Sequence, residues 1–136
     1  MQQSKKSALV VIANGSESLE AVTIINILRR AGVEVTVAAV GDALSVTGTR
    51  DILLMATVRH ADVVHHHFDL IVLPGGEVGA KALAAQASLI QQLREQRLAH
   101  RWIAAICASP ALVLAAHGLL DGKQASDAFV WGWSEK

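Results

Sequence analysis

One cysteine occurs in the 136 residues, Cys107, at the corner between the apolar run "WIAAI" (102–106) and a helix-like stretch over 109–117. A thiol at such a corner can act as a nucleophile, because the start of a helix stabilises the thiolate and lowers its pKa. Two more features fall at comparable corners: Glu20, in the first turns of a helix over 17–31, and the pair Gly75-Gly76, just beyond the strand 69–73. Glu20 supports a thiolate when it keeps its proton and donates it as a hydrogen bond; an ionised carboxylate would instead raise the cysteine pKa. The two groups would then titrate as a coupled pair. Gly76 has no side chain, so its N–H can approach a reacting atom. With the N–H of Ala108 it can form an oxyanion hole, a device worth about 2.7–4 kcal/mol per donor. Taken singly, each feature has a plain alternative: a packed cysteine, a solvated helix carboxylate and a turn. Their joint placement favours a nucleophilic site.

Such a site needs strands that end side by side. "ALVVIA" (8–13), continuous and apolar, suits a strand buried on both faces, and it ends at Asn14-Gly15. Ser16 is expected to cap the helix 17–31, on which Leu19, Val22, Ile25 or Asn26, and Arg29 mark successive turns; Gly32 ends it. "VEVTVAAV" (33–40) is the second strand, and "LSVTGTRDILLMA" reads as a hairpin about Gly48. The third strand is 69–73, helical patterning follows at 78–86 and 88–99, and the fourth strand is 102–106. Pro110 stands in the first turn of the last helix, where it is tolerated. The alternation describes a single α/β domain with a parallel sheet between helix layers. In that architecture ligands bind beyond the strand carboxyl ends, where Glu20, Gly76 and Cys107 converge.

Composition narrows the function. Hydrophobic residues make up 52% of the chain and charged residues 18%, with lysine plus arginine equal to aspartate plus glutamate at 12 each. This balance gives no footprint for nucleic acid or an anionic membrane. No run reaches the ~18 apolar residues of a membrane span, and the lone cysteine fits a reducing compartment, so the expected location is cytoplasmic. His65, His66 and His67 are adjacent and cannot all point one way, so a solvated loop is expected rather than a metal site. His117 lies ten residues past Cys107, too far along its helix to serve as base, and suits a helix end, as do Arg29 and Arg30.

The segments "ALVVIANGSESLEAV", "RRAGVEVTVAAVG", "DLIVLPGG" and "IAAICASPALVLAAHGLL", in this order, resemble the ThiJ/PfpI superfamily over residues 7 to about 123. Within it they look most like the branch of the parkinsonism-associated deglycase and its bacterial YajL-type relatives. The resemblance implies a flavodoxin-like fold of the class I glutamine amidotransferase type and a homodimer. Cys107 then matches the elbow cysteine, Glu20 its protonated partner, and Gly76 and Ala108 the oxyanion-hole amides. Arg50 matches an arginine at the subunit contact near the pocket. The implied functions are cofactor-free glyoxalase or deglycase chemistry on reactive dicarbonyls or their adducts, or redox sensing and chaperone activity through cysteine oxidation. Two departures stand out. Asn26 replaces the usual aspartate partner of the arginine, and after "GLLDGKQAS" the chain reads "DAFVWGWSEK" and ends. The expectation is a C-terminally shortened family member. Ala128 falls near the usual histidine, and Trp131 and Trp133 patch the exposed surface or meet a partner.

Overall fold

A computed structural model describes residues 4–123 and 125; Ala128, Trp131 and Trp133 lie outside the described residues. The apolar run near the start forms β1 (Ser7–Ile12), buried from Ala8 onward. A strand without a polar face must be covered on both faces and paired on both edges. β1 accordingly lies between β2 (Glu34–Ala39) and β6 (Leu70–Leu73), parallel to both, with Val10 opposite Val37 on one side and Val72 on the other. β7 (Trp102–Ala105) extends the sheet beyond β6, and the two-residue β5 (Val58–Arg59) closes the other edge, giving the order β5-β2-β1-β6-β7. β3 (Ser45–Thr47) and β4 (Leu53–Met55) form the separate antiparallel hairpin expected about Gly48.

Alternation along the strands sends side chains to opposite layers. Leu9, Val11, Ile71 and Leu73 pack with Leu83 of α2 (Glu77–Ala84), Leu89 and Leu93 of α3 (Ala87–Leu98) and Val113. Val10, Ile12, Val37 and Val72 pack with Ala21 of α1 (Ser18–Arg30) and Val46 of the hairpin. This is a doubly wound, flavodoxin-like sheet. From β1 the chain runs outward to β2 and β5, then crosses back to β6 and β7, so strand order reverses between β1 and β6. The crevice beyond their carboxyl ends is where ligands bind in such sheets.

Four local expectations are corrected. Glu17, not Ser16, caps α1: its side chain accepts from the Leu19 N–H at 3.3 Å, while Ser16 is buried and its hydroxyl accepts from the Ala13 N–H at 2.9 Å. On α1 the stripe through Leu19 and Val22 faces outward and the buried side carries Ala21, because the helix has more apolar residues than one face can hold. The last helix is not α-helical throughout. Pro110–Leu114 is a widened, π-type turn and Ala115–His117 a tight 3-10 turn, ended by Gly118 in the left-handed region. β5 had no counterpart in the pattern, since two residues show no alternation.

Candidate active site

Three connections deliver the site. The β1–α1 connection brings Glu20 to the crevice, the β6–α2 connection brings Pro74-Gly75-Gly76, and the segment after β7 brings Cys107. Cys107 sits at φ 58, a left-handed conformation that costs a non-glycine residue on the order of 1–3 kcal/mol. The elbow is held by the Ser109 N–H donating to Ile106 O at 3.2 Å and by the Ile106 N–H donating to Leu73 O at 3.2 Å. The side chain is half-buried.

Glu20 reaches the same place from α1: its Oε1 accepts from the Gly75 N–H at 2.8 Å. Gly75 separates the carboxyl from the cysteine so narrowly that a Cβ there would lie 2.6 Å from Cys107 Cβ and 2.6 Å from Glu20 Oε1. Gly76, at φ 85, faces the other way against Gly15 O and Glu17 N, again with no room for a side chain. Gly75 O accepts from the Glu17 N–H at 2.9 Å, so the start of α1 and the glycine loop are stitched together.

The thiol responds to this surrounding. Burial pushes the Cys107 pKa up, and the Glu20 carboxylate pushes it further by charge and by a side-chain hydrogen bond; the backbone N–H groups of Gly76 and Ala108 pull the other way. The net direction is upward, opposite to what a helix start alone would give. The physical reason is that one N–H from the segment after Cys107 and one from the glycine loop oppose burial of the sulfur beside an acidic group.

Four sequence-expected residues, Cys107, Glu20, Gly76 and Ala108, are thus brought together. Arg50 is not in that cluster. It is exposed at φ 60 beside Asp51 at φ 57, on the turn between β3 and β4. That turn is fastened to the start of α1, the Ser18 N–H donating to Thr49 Oγ1 and the Ser18 hydroxyl to Thr49 O, both at 3.0 Å. Arg50 lines a neighbouring open groove of about 550 Å³ with Gly15, Glu77 and Val78. Asn26 is exposed on α1 among Val22, Ile25, Arg29 and Arg30. His65, His66 and His67 are exposed, and among the described residues no group of three acidic, histidine or cysteine side chains is arranged to hold a metal ion. His117 turns away from the thiol to Ala84 O, 3.0 Å from its Nε2. Two residues of the site carry no signal of their role in the sequence: Gly75 is one half of a glycine pair, and Ser109 stands two residues from the thiol at the start of the last helix.

Comparison with known proteins places the fold in a family. The DJ-1/PfpI family model matches residues 6–130. The chain belongs to the DJ-1/PfpI family. Protein DJ-1 homolog B of Arabidopsis thaliana is 48% identical over 118 residues, covering 87% of this chain and 27% of the plant protein. The solved structure of oxidized Toxoplasma gondii DJ-1 superposes with a TM-score of 0.88 at 43% identity, covering 90% of this chain and 66% of that one. A Caenorhabditis elegans relative, 31% identical over 117 residues, covers 85% of this chain and 61% of its own length; it is named glutathione-independent glyoxalase DJR-1.2. The chain therefore spans between about a quarter and two-thirds of these relatives.

Proposed function

We propose that this DJ-1/PfpI protein is a cofactor-free, cysteine-dependent enzyme acting on small reactive dicarbonyls or their protein adducts. The observation that carries the proposal is the meeting of a strained cysteine elbow, a carboxyl one glycine away and two backbone N–H groups facing the sulfur. The glyoxalase name of the Caenorhabditis elegans relative supports the substrate class.

With methylglyoxal the steps balance without any redox partner. Glu20 takes the thiol proton, and Cys107 adds to the aldehyde carbon, forming a C–S bond. The carbonyl electron pair becomes an alkoxide held by the N–H groups of Gly76 and Ala108. Glu20 returns the proton to give a hemithioacetal. Glu20 then takes the proton from the aldehyde carbon and delivers it to the adjacent ketone carbon, while the hemithioacetal hydroxyl proton passes to the ketone oxygen; the adduct becomes a thioester of lactate. Water cleaves the thioester and frees the thiol. The net reaction is methylglyoxal plus water to lactate. The raised thiol pKa keeps the proton on the sulfur at rest, so a base must take it as the sulfur attacks the substrate.

The site is completed in this proposal by a second copy of the chain. Leu19, Val22 and Ile27 of α1 and Leu53 and Met55 of the hairpin are exposed and apolar, and Arg50 and Asn26 lie on these same two elements. A second reading, oxidation of Cys107 to a sulfinic acid as a stress signal, is favoured by the same two N–H donors, which suit a sulfinate oxygen. Lactate formation from methylglyoxal, lost in Cys107→Ala, supports the enzyme. A folded chain that makes no lactate but takes up two oxygen atoms at Cys107 under peroxide supports the sensor and sinks the enzyme.

A further inference from the structure

Pro74, Gly75 and Gly76 carry the site between them, and their two peptide units are gripped at both ends. A trans peptide is planar, with its C=O and N–H pointing in opposite directions, so holding both fixes its rotation. In the Pro74–Gly75 unit the N–H of Gly75 donates to Glu20 Oε1 at 2.8 Å. The C=O of Pro74 accepts from the Ser109 hydroxyl at 2.6 Å. In the next unit, Gly75 O accepts from the Glu17 N–H at 2.9 Å, which leaves the Gly76 N–H directed at the sulfur. Ser109 is fully buried, so no water competes for Pro74 O. It also belongs to the cysteine elbow, its own N–H bonding to Ile106 O. Among the described residues, its hydroxyl makes the side-chain hydrogen bond that joins the elbow to the glycine loop.

We infer that Ser109 is a positioning residue: by holding Pro74 O it sets the rotation of the Pro74–Gly75 peptide, and so fixes the Gly75 N–H and the Glu20 carboxyl it holds relative to the Cys107 sulfur. Ser109 touches neither substrate nor sulfur and acts through the loop. The inference deepens the reading of Cys107 as a nucleophile and rests on it for its relevance to turnover, but its effect on the thiol is measurable without any substrate. With the hydroxyl gone, the peptide is free to rotate about its ends and the Gly75 N–H leaves Glu20, so the carboxylate that holds the thiol pKa up is no longer fixed beside the sulfur.

The test is the pH dependence of Cys107 alkylation by iodoacetamide in the full chain, for wild type, Ser109→Ala and Ser109→Thr, each confirmed folded by circular dichroism. Ser109→Ala is expected to lower the thiol pKa and speed alkylation at neutral pH by about threefold or more, as thiolate population rises tenfold per unit fall in pKa. Ser109→Thr, which keeps the hydroxyl, is expected to restore the wild-type titration. A folded Ser109→Ala whose thiol titrates as in wild type, or higher, overturns the inference. Should the variants fail to fold, amide exchange in wild type decides: slow exchange at Gly75 supports the clamp, and free exchange there overturns it. If Ser109→Ala shifts the thiol but wild type turns over no dicarbonyl, the positioning role stands and the proposed reaction fails.

Discussion

Gly75→Ala isolates the steric requirement of the site. Gly75 is not among the positive-φ residues, so alanine is allowed by the backbone and the whole effect comes from one methyl group. That methyl would sit 2.6 Å from Cys107 Cβ, 2.6 Å from Glu20 Oε1 and 3.1 Å from Ile106 O. Carbon atoms pack at about 3.5–4.0 Å, so the elbow and the glycine loop must separate by roughly 1 Å. Overpacking of this kind costs about 1–3 kcal/mol, whereas the entropy removed from the unfolded chain by Gly→Ala returns only about 0.4–1 kcal/mol. Net destabilisation of about 1–2 kcal/mol is expected in urea unfolding. Function should suffer more, because a 1 Å displacement of reacting groups costs about a hundredfold in rate. Glu20 also loses its place on the Gly75 N–H. The assays are urea unfolding, the alkylation rate of Cys107 and lactate formation, with Gly32→Ala as a control. A Cβ at Gly32 meets nothing within 4 Å, so only its positive φ resists the change. A Gly75→Ala protein with wild-type stability and an unchanged thiol titration would refute the packing argument.

Other outcomes follow from groups away from the thiol. His60 is buried, with Nε2 2.8 Å from Gln92 Oε1 and Nδ1 without a partner among the described residues, and burial lowers its pKa. Gln92 Nε2 donates to Val63 O, so its oxygen faces His60 and the neutral ring carries its proton on Nε2. A group held neutral in the fold and protonated when unfolded contributes stability above its unfolded pKa of about 6.5. That contribution is lost as pH falls from there toward the folded pKa, by up to about 1.4 kcal/mol per pH unit. Unfolding measured from pH 7.5 to 5 in wild type and His60→Leu should show this slope in wild type and a smaller one in the variant. Gln96, also buried, donates from Nε2 to Phe68 O at 2.9 Å and Trp102 O at 3.0 Å, tying β6 to β7 at their starts. Gln96→Ala leaves both carbonyls short of a donor and should cost about 2–4 kcal/mol in urea unfolding while sparing the thiol titration; a loss under 1 kcal/mol would count against it.

What was legible in the sequence was what repeats or punctuates. The unbroken run 8–13 announced a central strand, and glycines at 15, 32, 48 and 75–76 marked where elements stop. The grouping of Glu20, Gly76, Ala108 and Cys107 followed from topology, because each falls beyond a strand end. What escaped depends on tertiary contact. Ser16 and Glu17 are both credible caps, and the hydroxyl's other engagement, with Ala13, decided between them. Leu19, Val22 and Ala21 are all apolar, so periodicity could not say which face of α1 is buried. Arg50 shares a resemblance-based role with the cluster but lies on a separate turn, fastened by Thr49. The thiol pKa direction also needed coordinates, since it depends on how closely Glu20 and burial oppose two N–H groups.

The central claim is that Glu20 carries the Cys107 proton during turnover. Its most direct test is Glu20→Gln, with thiolate absorbance followed against pH and lactate formation measured on the same samples. The account predicts a dissociation of the two readouts. Losing the carboxylate lowers the Cys107 pKa and makes more thiolate at neutral pH, yet lactate formation falls about a hundredfold or more, because no group remains to collect and return the proton. A variant with an unmoved thiol, or one that turns over methylglyoxal as fast as wild type, would contradict it.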